Sequence, residues 1–244
     1  DIGWGLDSAT LKAEGFEERL HKKYLNDYFQ GYAGESNSRG ELYNADPVSG
    51  DARFCGTTAS MCGVEKAGFE QNDSAMEAAI RLDLMLHAYM FMQSGIPVLY
   101  SGDEIGQVND YTYKENPEKA ADSRYIHRGA MHWNLAENSA NPHTVEGKIF
   151  SGLAKLSKIR KTERVFVCGA DVWTKDLGDA SLLCIVRAFE GEKLIGYFNF
   201  SEFEKSVSFE EETDYLDLIS EKEIHPGTAL QLPGYGFCYL KKKG

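Results

Sequence analysis

Apolar positions follow a helical period in three segments of the chain, which predicts helices over residues 17–29, 74–92 and 145–161. In each segment, apolar side chains recur at spacings of three and four residues. Ser74 and Glu77 have the spacing of a capping box, so we expect the second helix to begin at these residues. Past its first turns this helix is apolar nearly all round, which is typical of a helix packed within a larger body.

A short apolar run over residues 96–100 follows the second helix. Its lack of alternation predicts a parallel strand that is covered on both faces. A polar loop flanked by glycines comes directly after the run and carries Asp103 and Glu104. Polar groups just beyond the C-terminal end of a buried parallel strand are typical of the active face of a (β/α) barrel. The order of helix, strand, loop and helix predicts the last part of an alternating β/α arrangement.

The pattern changes after residue 165. Short runs rich in β-branched and aromatic residues, separated by turn residues, predict strands over residues 182–189, 193–200, 204–209 and 236–240. We therefore expect the last part of the chain, about eighty residues, to form an antiparallel β-sandwich.

Long polar segments complete the chain. Residues 31–50 are crowded with glycine, asparagine, aspartate and serine, and a second polar segment runs over residues 109–143. Segments this long are uncommon in a compact domain unless they form a lid or line a site. The predicted domain division is an inserted loop region over 1–70, helix–strand–helix units over 71–164 and a β-sandwich over 165–244.

Composition removes several classes of function. The formal net charge is −12, so the chain is a poor partner for nucleic acids and anionic membranes, which are themselves negative. No apolar run is long enough to predict a transmembrane helix. The five cysteines show neither a zinc-ligand spacing nor a disulfide framework. We therefore expect reduced thiols, no metal site and a cytoplasmic protein.

Residues 95–104 combine a Gly-x-Pro start, a short apolar run and a Gly-x-Glu end. This pattern resembles the last strand signature of the α-amylase superfamily of glycoside hydrolases. Three further segments are similar to the amylosucrase and sucrose hydrolase branch of that superfamily. Residues 1–4 resemble the stretch after its seventh barrel strand, residues 43–57 the loop inserted there, and residues 122–128 the final active-site loop. These matches stand in the order that the family shows.

The resemblance implies the C-terminal portion of a (β/α)8 barrel with an inserted loop domain, followed by the β-sandwich. It also implies retaining hydrolysis of sucrose or transfer of its α-glucosyl group, in which an aspartate is the nucleophile and a glutamate the acid/base. Sucrose and an α-glucan acceptor are the implied partners, and no cofactor takes part. Because the chain opens at Asp1 without a leader pattern, we expect a piece of a longer polypeptide. Both catalytic carboxylates are expected upstream of Asp1, and the chain alone is expected to be inactive.

Three residues are predicted to bind the sugar. Arg124 is the first, because a guanidinium offers a fixed fork of donors for a sugar hydroxyl or a carboxylate. The alternative is a surface arginine paired with Asp122. Asp1 and Arg53 match residues that form an ion pair beside the sucrose pocket in the family, and their alternative is a frayed terminus and a solvated loop arginine. Stacking on sugar rings and simple packing both stay open for Tyr28, Phe29, Tyr43 and Tyr111.

Other polar residues have simpler interpretations. Asp103 and Glu104 are expected to brace their loop, since adjacent carboxyl groups cannot easily flank one glycosidic bond. His87 falls within the apolar helix and is expected to be a core histidine. Lys22 stands where the amylosucrase pattern carries an arginine that contacts the growing glucan, which favours sucrose hydrolysis over glucan synthesis. An α-glucan hydrolase that shares only the barrel signature, and a non-catalytic carbohydrate-binding remnant, stay open as alternatives.

Overall fold

A computed structural model describes residues 7–243 of the chain. Its contacts divide these residues into two compact units. The loop unit contains residues 7–79 and 100–138, and the sheet unit contains residues 80–99 and 139–243. These units do not coincide with the three predicted domains, whose bounds stay predictions.

The secondary structure is mainly helical up to residue 166, with one short hairpin among the helices, and consists of antiparallel strands after it. The helices are α1 (Ser8–Ala13), α2 (Glu18–Gln30), α3 (Thr58–Cys62), α4 (Val64–Glu70), α5 (Asp73–Met92), α6 (Trp133–Ala136) and α7 (Val145–Thr162). Short 3₁₀ helices cover Asp103–Ile105, Thr112–Glu115, Ser123–His127, Glu137–Ala140 and Arg164–Phe166. The strands are β1 (Glu41–Tyr43), β2 (Arg53–Cys55), β3 (Asp171–Lys175), β4 (Leu182–Phe189), β5 (Glu192–Asn199), β6 (Lys205–Ser208), β7 (Tyr215–Asp217), β8 (Glu223–Ile224), β9 (Ala229–Leu232) and β10 (Phe237–Lys242). No helix between residues 7 and 243 is long and apolar enough to cross a bilayer.

The three helices predicted from the apolar period are confirmed as α2, α5 and α7. The cap of α5 differs from the prediction, because the Asn72 side-chain oxygen accepts the N–H of Ala75 at 3.0 Å. Asparagine caps a helix as well as serine does. Ser74 lies inside the helix, so the prediction of a capping box from Ser74 and Glu77 is wrong.

A short hairpin interrupts the first predicted polar segment. Strand β1 lies within residues 31–50 and pairs antiparallel with β2, so that Tyr43 faces Arg53 and Glu41 faces Cys55. The prediction of a continuous loop is therefore wrong over β1. The turn residues that suggested a loop lie on either side of a strand of three residues, which is too short to show an alternating pattern.

Residues 96–100 form no strand in the structure. Ile96 is 90% exposed and Val98 is 75% exposed, so the prediction of a strand covered on both faces is wrong. A parallel strand of that kind needs hydrogen-bonding neighbours and a helix layer on each face. No segment between residues 7 and 243 pairs with this run, and its apolar side chains lie at the surface. In the part of the chain predicted to belong to the barrel, residues 71–164, the structure has helices and no strand.

The sheet unit is built on a six-stranded antiparallel sheet with the order β3–β4–β5–β10–β7–β8. A ribbon of β6 and β9 packs over one face of this sheet. Buried side chains from both layers form the core between them: Cys184, Val186, Ile195, Tyr197, Val207, Phe209, Tyr215, Leu230, Leu232, Cys238 and Leu240. The predicted antiparallel strands are confirmed, and the sandwich has one large layer and one small one.

Helix α5 packs against the other face of the sheet, and α7 packs against α5. Tyr239 of β10 donates its hydroxyl proton to a main-chain oxygen of α5. The two helices approach closely at Gly152, where an added Cβ would lie 2.6 Å from a methyl group of Leu84. His87 is 5% exposed, and its Nδ1 lies 2.9 Å from the main-chain oxygen of Asp83. The prediction of a core histidine is therefore confirmed.

Candidate functional site

The loop unit brings two of the three predicted sugar-binding residues to one side of the hairpin. Tyr43 and Arg53 are direct partners across β1 and β2, so their side chains leave the hairpin on the same face. The guanidinium carbon of Arg124 lies 4.4 Å from the centre of the Tyr43 ring, which is a cation–π contact. The third predicted residue, Asp1, lies outside the described residues.

Arg124 is held by a carboxylate two residues before it. Its Nε donates to Oδ1 of Asp122 at 2.8 Å, and its Nη2 donates to Oδ2 at 2.7 Å. This is the bidentate pair that the alternative interpretation predicts. Hydrogen bonds from Arg124 lower the pKa of Asp122 to about 2, and the same pairing raises the pKa of Arg124. The pair fixes the guanidinium plane, while Nη1 makes no hydrogen bond within residues 7–243.

The 3₁₀ helix that carries Arg124 is fastened to the hairpin. Ser123 donates its hydroxyl proton to the main-chain oxygen of Leu42 at 2.8 Å. Beneath this contact, Cys55, Tyr113 and Ile126 form a small buried cluster. Burial raises the pKa of the Cys55 thiol, so this cysteine has a packing role and little thiolate character.

Asn109 clamps the base of the hairpin. Its side-chain oxygen accepts the N–H of Thr57 at 2.8 Å, and its side-chain nitrogen donates to the main-chain oxygen of Arg39 at 2.8 Å. Arg39 and Thr57 stand just before β1 and just after β2. The main-chain N–H of Asn109 also donates to the hydroxyl oxygen of Ser60 at 2.9 Å. Sequence reasoning missed Asn109, because its partners are main-chain groups far along the chain and no residue pattern marks them.

A second group of polar side chains continues from the hairpin. Glu41 accepts hydrogen bonds from the Tyr113 hydroxyl and from the Lys114 ammonium. The same ammonium lies 5.5 Å from the centre of the Tyr111 ring. Burial raises the pKa of Tyr111 to about 12, and its hydroxyl donates to Glu65 at 2.7 Å. These tyrosines therefore stay protonated at neutral pH and act as hydrogen-bond donors.

A cavity of about 430 Å³ opens beside Tyr43. Its walls carry tyrosine rings, a carboxylate, an ammonium, two amides and a hydroxyl, which are the groups that hold the apolar faces and the hydroxyls of a sugar. They come from Gln30, Tyr32, Glu41, Leu42, Tyr43, Asn44, Tyr113, Lys114, Ala120, Ala121 and Ser123. All of these residues belong to the loop unit, and Tyr32 is 76% exposed at the rim.

Lys22 is occupied by two carboxylates. Its ammonium lies 2.6 Å from Glu18 and 2.6 Å from Asp51, and the residue is 8% exposed. The hydrogen bond that Lys22 donates to Asp51 is the largest cause of the raised pKa of Lys22. This lysine therefore ties α2 to the turn before β2.

Phe29, which was predicted either to stack on a sugar or to pack, has its ring centre 4.6 Å from that of Phe54.

The adjacent carboxylates Asp103 and Glu104 accept hydrogen bonds from their own loop. Asp103 accepts the N–H of Tyr100 at 3.0 Å, and Glu104 accepts the N–H of Gly102 at 2.9 Å. The prediction that they brace this loop is confirmed.

Nearby, the ring of His127 lies 5.5 Å from that of Tyr100, and burial lowers the pKa of the histidine. Within residues 7–243, no three His, Cys, Asp or Glu side chains are arranged to hold a metal ion.

No family model matches this sequence. Among solved structures, the chain is similar to trehalulose synthase MutB from Pseudomonas mesoacidophila MX-45, with 17% identity and a TM-score of 0.51 over 67% of this chain and 38% of that one. A point variant of that enzyme, from crystals soaked with trehalulose, matches with 17% identity and a TM-score of 0.52 over 66% of this chain and 38% of the variant. A maltogenic amylase from S. marinus shares 25% identity over 72% of this chain and 20% of its own length, with a TM-score of 0.49.

The likeness to trehalulose synthase is a likeness of fold. At 17% identity it does not extend to family or activity, so the resemblance to the α-amylase superfamily stays a prediction. The chain spans about two fifths of the length of trehalulose synthase and a fifth of that of the maltogenic amylase. The amylosucrase branch stays a prediction, as do the roles of Arg124, Arg53 and Asp1.

Proposed function

We propose that this chain is the C-terminal part of a retaining enzyme that cleaves the glycosidic bond of sucrose and passes the glucosyl group to water or to a glucan. The observation that carries the proposal is the convergence of Arg124, Tyr43 and Arg53 on one face of the hairpin, beside a polar and aromatic cavity. A clamped guanidinium next to an aromatic ring suits a sugar, which offers hydroxyls at its edge and C–H groups on its face.

In this proposal, Arg124 binds the donor glucosyl unit. Its Nη1 donates a hydrogen bond to a sugar hydroxyl, while Asp122 holds the other side of the guanidinium in place. Asp122 stays ionised at neutral pH because hydrogen bonds from Arg124 lower its pKa to about 2. Arg53 and Asp1 are the other two residues proposed to bind the sugar. The aspartate nucleophile and the glutamate acid/base belong to the part of the longer protein before Asp1.

Hydrolysis is favoured over glucan synthesis by the position of Lys22. Both of its carboxylate partners lie 2.6 Å away, so its ammonium is occupied in the structure by Glu18 and Asp51. A residue held in this way is a poor contact for a growing glucan.

One structural neighbour comes from crystals soaked with trehalulose, which accords with a small sugar as the ligand.

The deciding experiment uses the full-length protein that contains this chain. It is incubated separately with sucrose and with a soluble α-glucan, and the anomeric configuration of the released glucose is followed by NMR. Release from sucrose with retention supports the proposal, and release from the glucan alone replaces it with an α-glucan hydrolase. Binding of either sugar without turnover identifies a carbohydrate-binding remnant and contradicts the proposed enzyme.

A further inference from the structure

Strand β3 is an open edge of the six-stranded sheet. It pairs with β4 on one side, and no strand between residues 7 and 243 pairs with its other side. Four of its five residues are exposed on both faces, including Val172 at 39% and Trp173 at 41%. Such an edge presents a row of main-chain N–H and C=O groups that can extend the sheet with another chain.

The usual protections of an edge strand are missing from β3. It contains no proline and no bulge, and its register with β4 is continuous from Asp171 to Lys175. Its centre consists of Val172, Trp173 and Thr174, which are residue types that favour strands. The two charged residues stand at the two ends of the strand. They therefore do not repel a strand that approaches the centre.

The sequence of β3 is complementary to itself in the antiparallel direction. When two copies pair about Trp173, the two Trp173 rings face each other and Val172 faces Thr174 of the other copy. Asp171 of each copy then faces Lys175 of the other. Aromatic pairs and opposite charges directly across two strands both stabilise the pairing.

The charges at the ends of β3 can both make these contacts. The Asp171 carboxylate forms no hydrogen bond or ion pair with any other residue in the described part of the chain. Lys175 lies 2.8 Å from Glu211, and its side chain is still 39% exposed. An ammonium group has three donors, so Lys175 can bind a second carboxylate without leaving the first.

We propose that β3 is a homodimer interface, in which the edges of two copies pair antiparallel about a twofold axis at Trp173 and join their sheets. The contact is isologous, since each copy offers the same strand to the other. This inference goes beyond the proposed function, because β3 belongs to the sheet unit and every residue of the candidate site belongs to the loop unit. Failure of either proposal leaves the other standing.

A cysteine placed at the axis tests the register. Trp173→Cys is made together with Cys168→Ser, which removes the exposed thiol and leaves the four buried ones. Directly opposed residues of antiparallel strands have Cα atoms about 5 Å apart, within the range of a disulfide. We expect mild oxidation to give a covalent dimer that a reductant reverses. Absence of this dimer, while the charge test below also shows a monomer, overturns the proposal.

Val172→Cys in the same background is the matched control. In the proposed register the two copies of residue 172 are offset by two positions, so their Cα atoms lie about 8 Å apart, beyond disulfide reach. We expect at most a tenth of the cross-linking that the Trp173→Cys chain shows. Equal cross-linking of both variants means random collision and contradicts the register.

A charge reversal tests the interface without touching the axis. We expect the unmodified chain to show twice its mass of 27.2 kDa by light scattering after size exclusion. Asp171→Lys places like charges opposite each other across the two copies. We therefore expect the dissociation constant of its dimer to be at least tenfold higher than that of the unmodified chain. Glu204→Lys makes the same charge change at an exposed position outside β3, and it should leave the dimer unchanged. A monomeric unmodified chain, or equal weakening by both variants, overturns the interface.

Discussion

The guanidinium of Arg187 donates to the main-chain oxygen of Met92, 3.0 Å away, at the last residue of helix α5. It also donates to the main-chain oxygen of Val165 at 2.8 Å. Arg187 is 2% exposed and has no carboxylate partner within residues 7–243. A second arginine, Arg160, donates to the oxygens of Phe91 and Gln93. The buried charge is therefore stabilised by carbonyl groups at the negative end of a helix.

This arrangement predicts that Arg187 contributes strongly to stability. Arg187→Met keeps much of the volume but leaves the oxygens of Met92 and Val165 buried without their donor. We expect a loss of about 3 kcal/mol in the free energy of unfolding, measured by urea denaturation. Arg187→Lys should recover only part of it, because a point charge cannot reach both oxygens as the planar fork does. Arg19→Met, at an exposed arginine, is the control, and an equal effect of both Met variants contradicts the prediction.

Asn109 is predicted to hold the hairpin through its side-chain amide. Asn109→Asp keeps an acceptor for the Thr57 N–H but loses the donor to Arg39, and Asn109→Ala loses both. We expect the free energy of unfolding to fall by about 2 kcal/mol in each variant. Hydrogen exchange of the Thr57 amide should accelerate most in the alanine variant. Asn116→Ala removes a hydrogen bond within an exposed turn and should leave that exchange rate unchanged.

Glu211 gives the sheet unit a specific response to acid. Burial alone would raise its pKa, but hydrogen bonds from Lys175, Lys193 and Tyr215 outweigh burial and lower the pKa to about 2. The pKa of a glutamate in the unfolded chain is about 4.3. A carboxyl group whose pKa is lower in the folded state stabilises the protein fully at pH values above that unfolded pKa. This contribution is lost as pH falls from about 4.3 to about 2.

Replacement of Glu211 by glutamine tests this response. We expect Glu211→Gln to be less stable than the unmodified chain at pH 7, with a difference that shrinks as pH falls through that window. Thermal melts over a pH series measure the difference. A constant difference at every pH would mean that the charge of Glu211 does not carry the effect. Glu212→Gln, at the neighbouring exposed carboxylate, is the control.

Arg124 is predicted to bind the donor sugar in the full-length enzyme. Loss of a charge-assisted hydrogen bond to a buried sugar costs about 1.5–3 kcal/mol, or roughly ten- to a hundredfold in rate. Arg124→Lys should fail almost as badly as Arg124→Ala, because a lysine cannot keep the bidentate contact with Asp122. Both variants should melt within a few degrees of the unmodified enzyme. Steady-state sucrose cleavage, with Arg19→Ala as control, measures the effect, and near-normal turnover of Arg124→Ala removes Arg124 from the site.

Local patterns predicted the regular elements of this chain, and contacts between distant residues account for the errors. Helix α7 was predictable because its apolar residues recur with a helical period over many residues. Strand β4 was predictable because its run is rich in β-branched and aromatic residues and is bounded by turn residues. Residues 96–100 have the composition of a buried strand, but a strand forms only where neighbours supply hydrogen bonds. The partners of Asn109 lie 52 and 70 residues away along the chain, a relation that no local pattern contains.

The segment over residues 96–100 is held at both ends although its middle is uncovered. Just before it, the oxygen of Gly95 accepts a hydrogen bond from Arg160, and at its last residue the N–H of Tyr100 is bound by Asp103. Fixing the main chain of one residue costs roughly 1–2 kcal/mol of conformational entropy. Each anchor restricts the main chain at its own end of the run, so a strand that pairs there would have fewer conformations left to restrict.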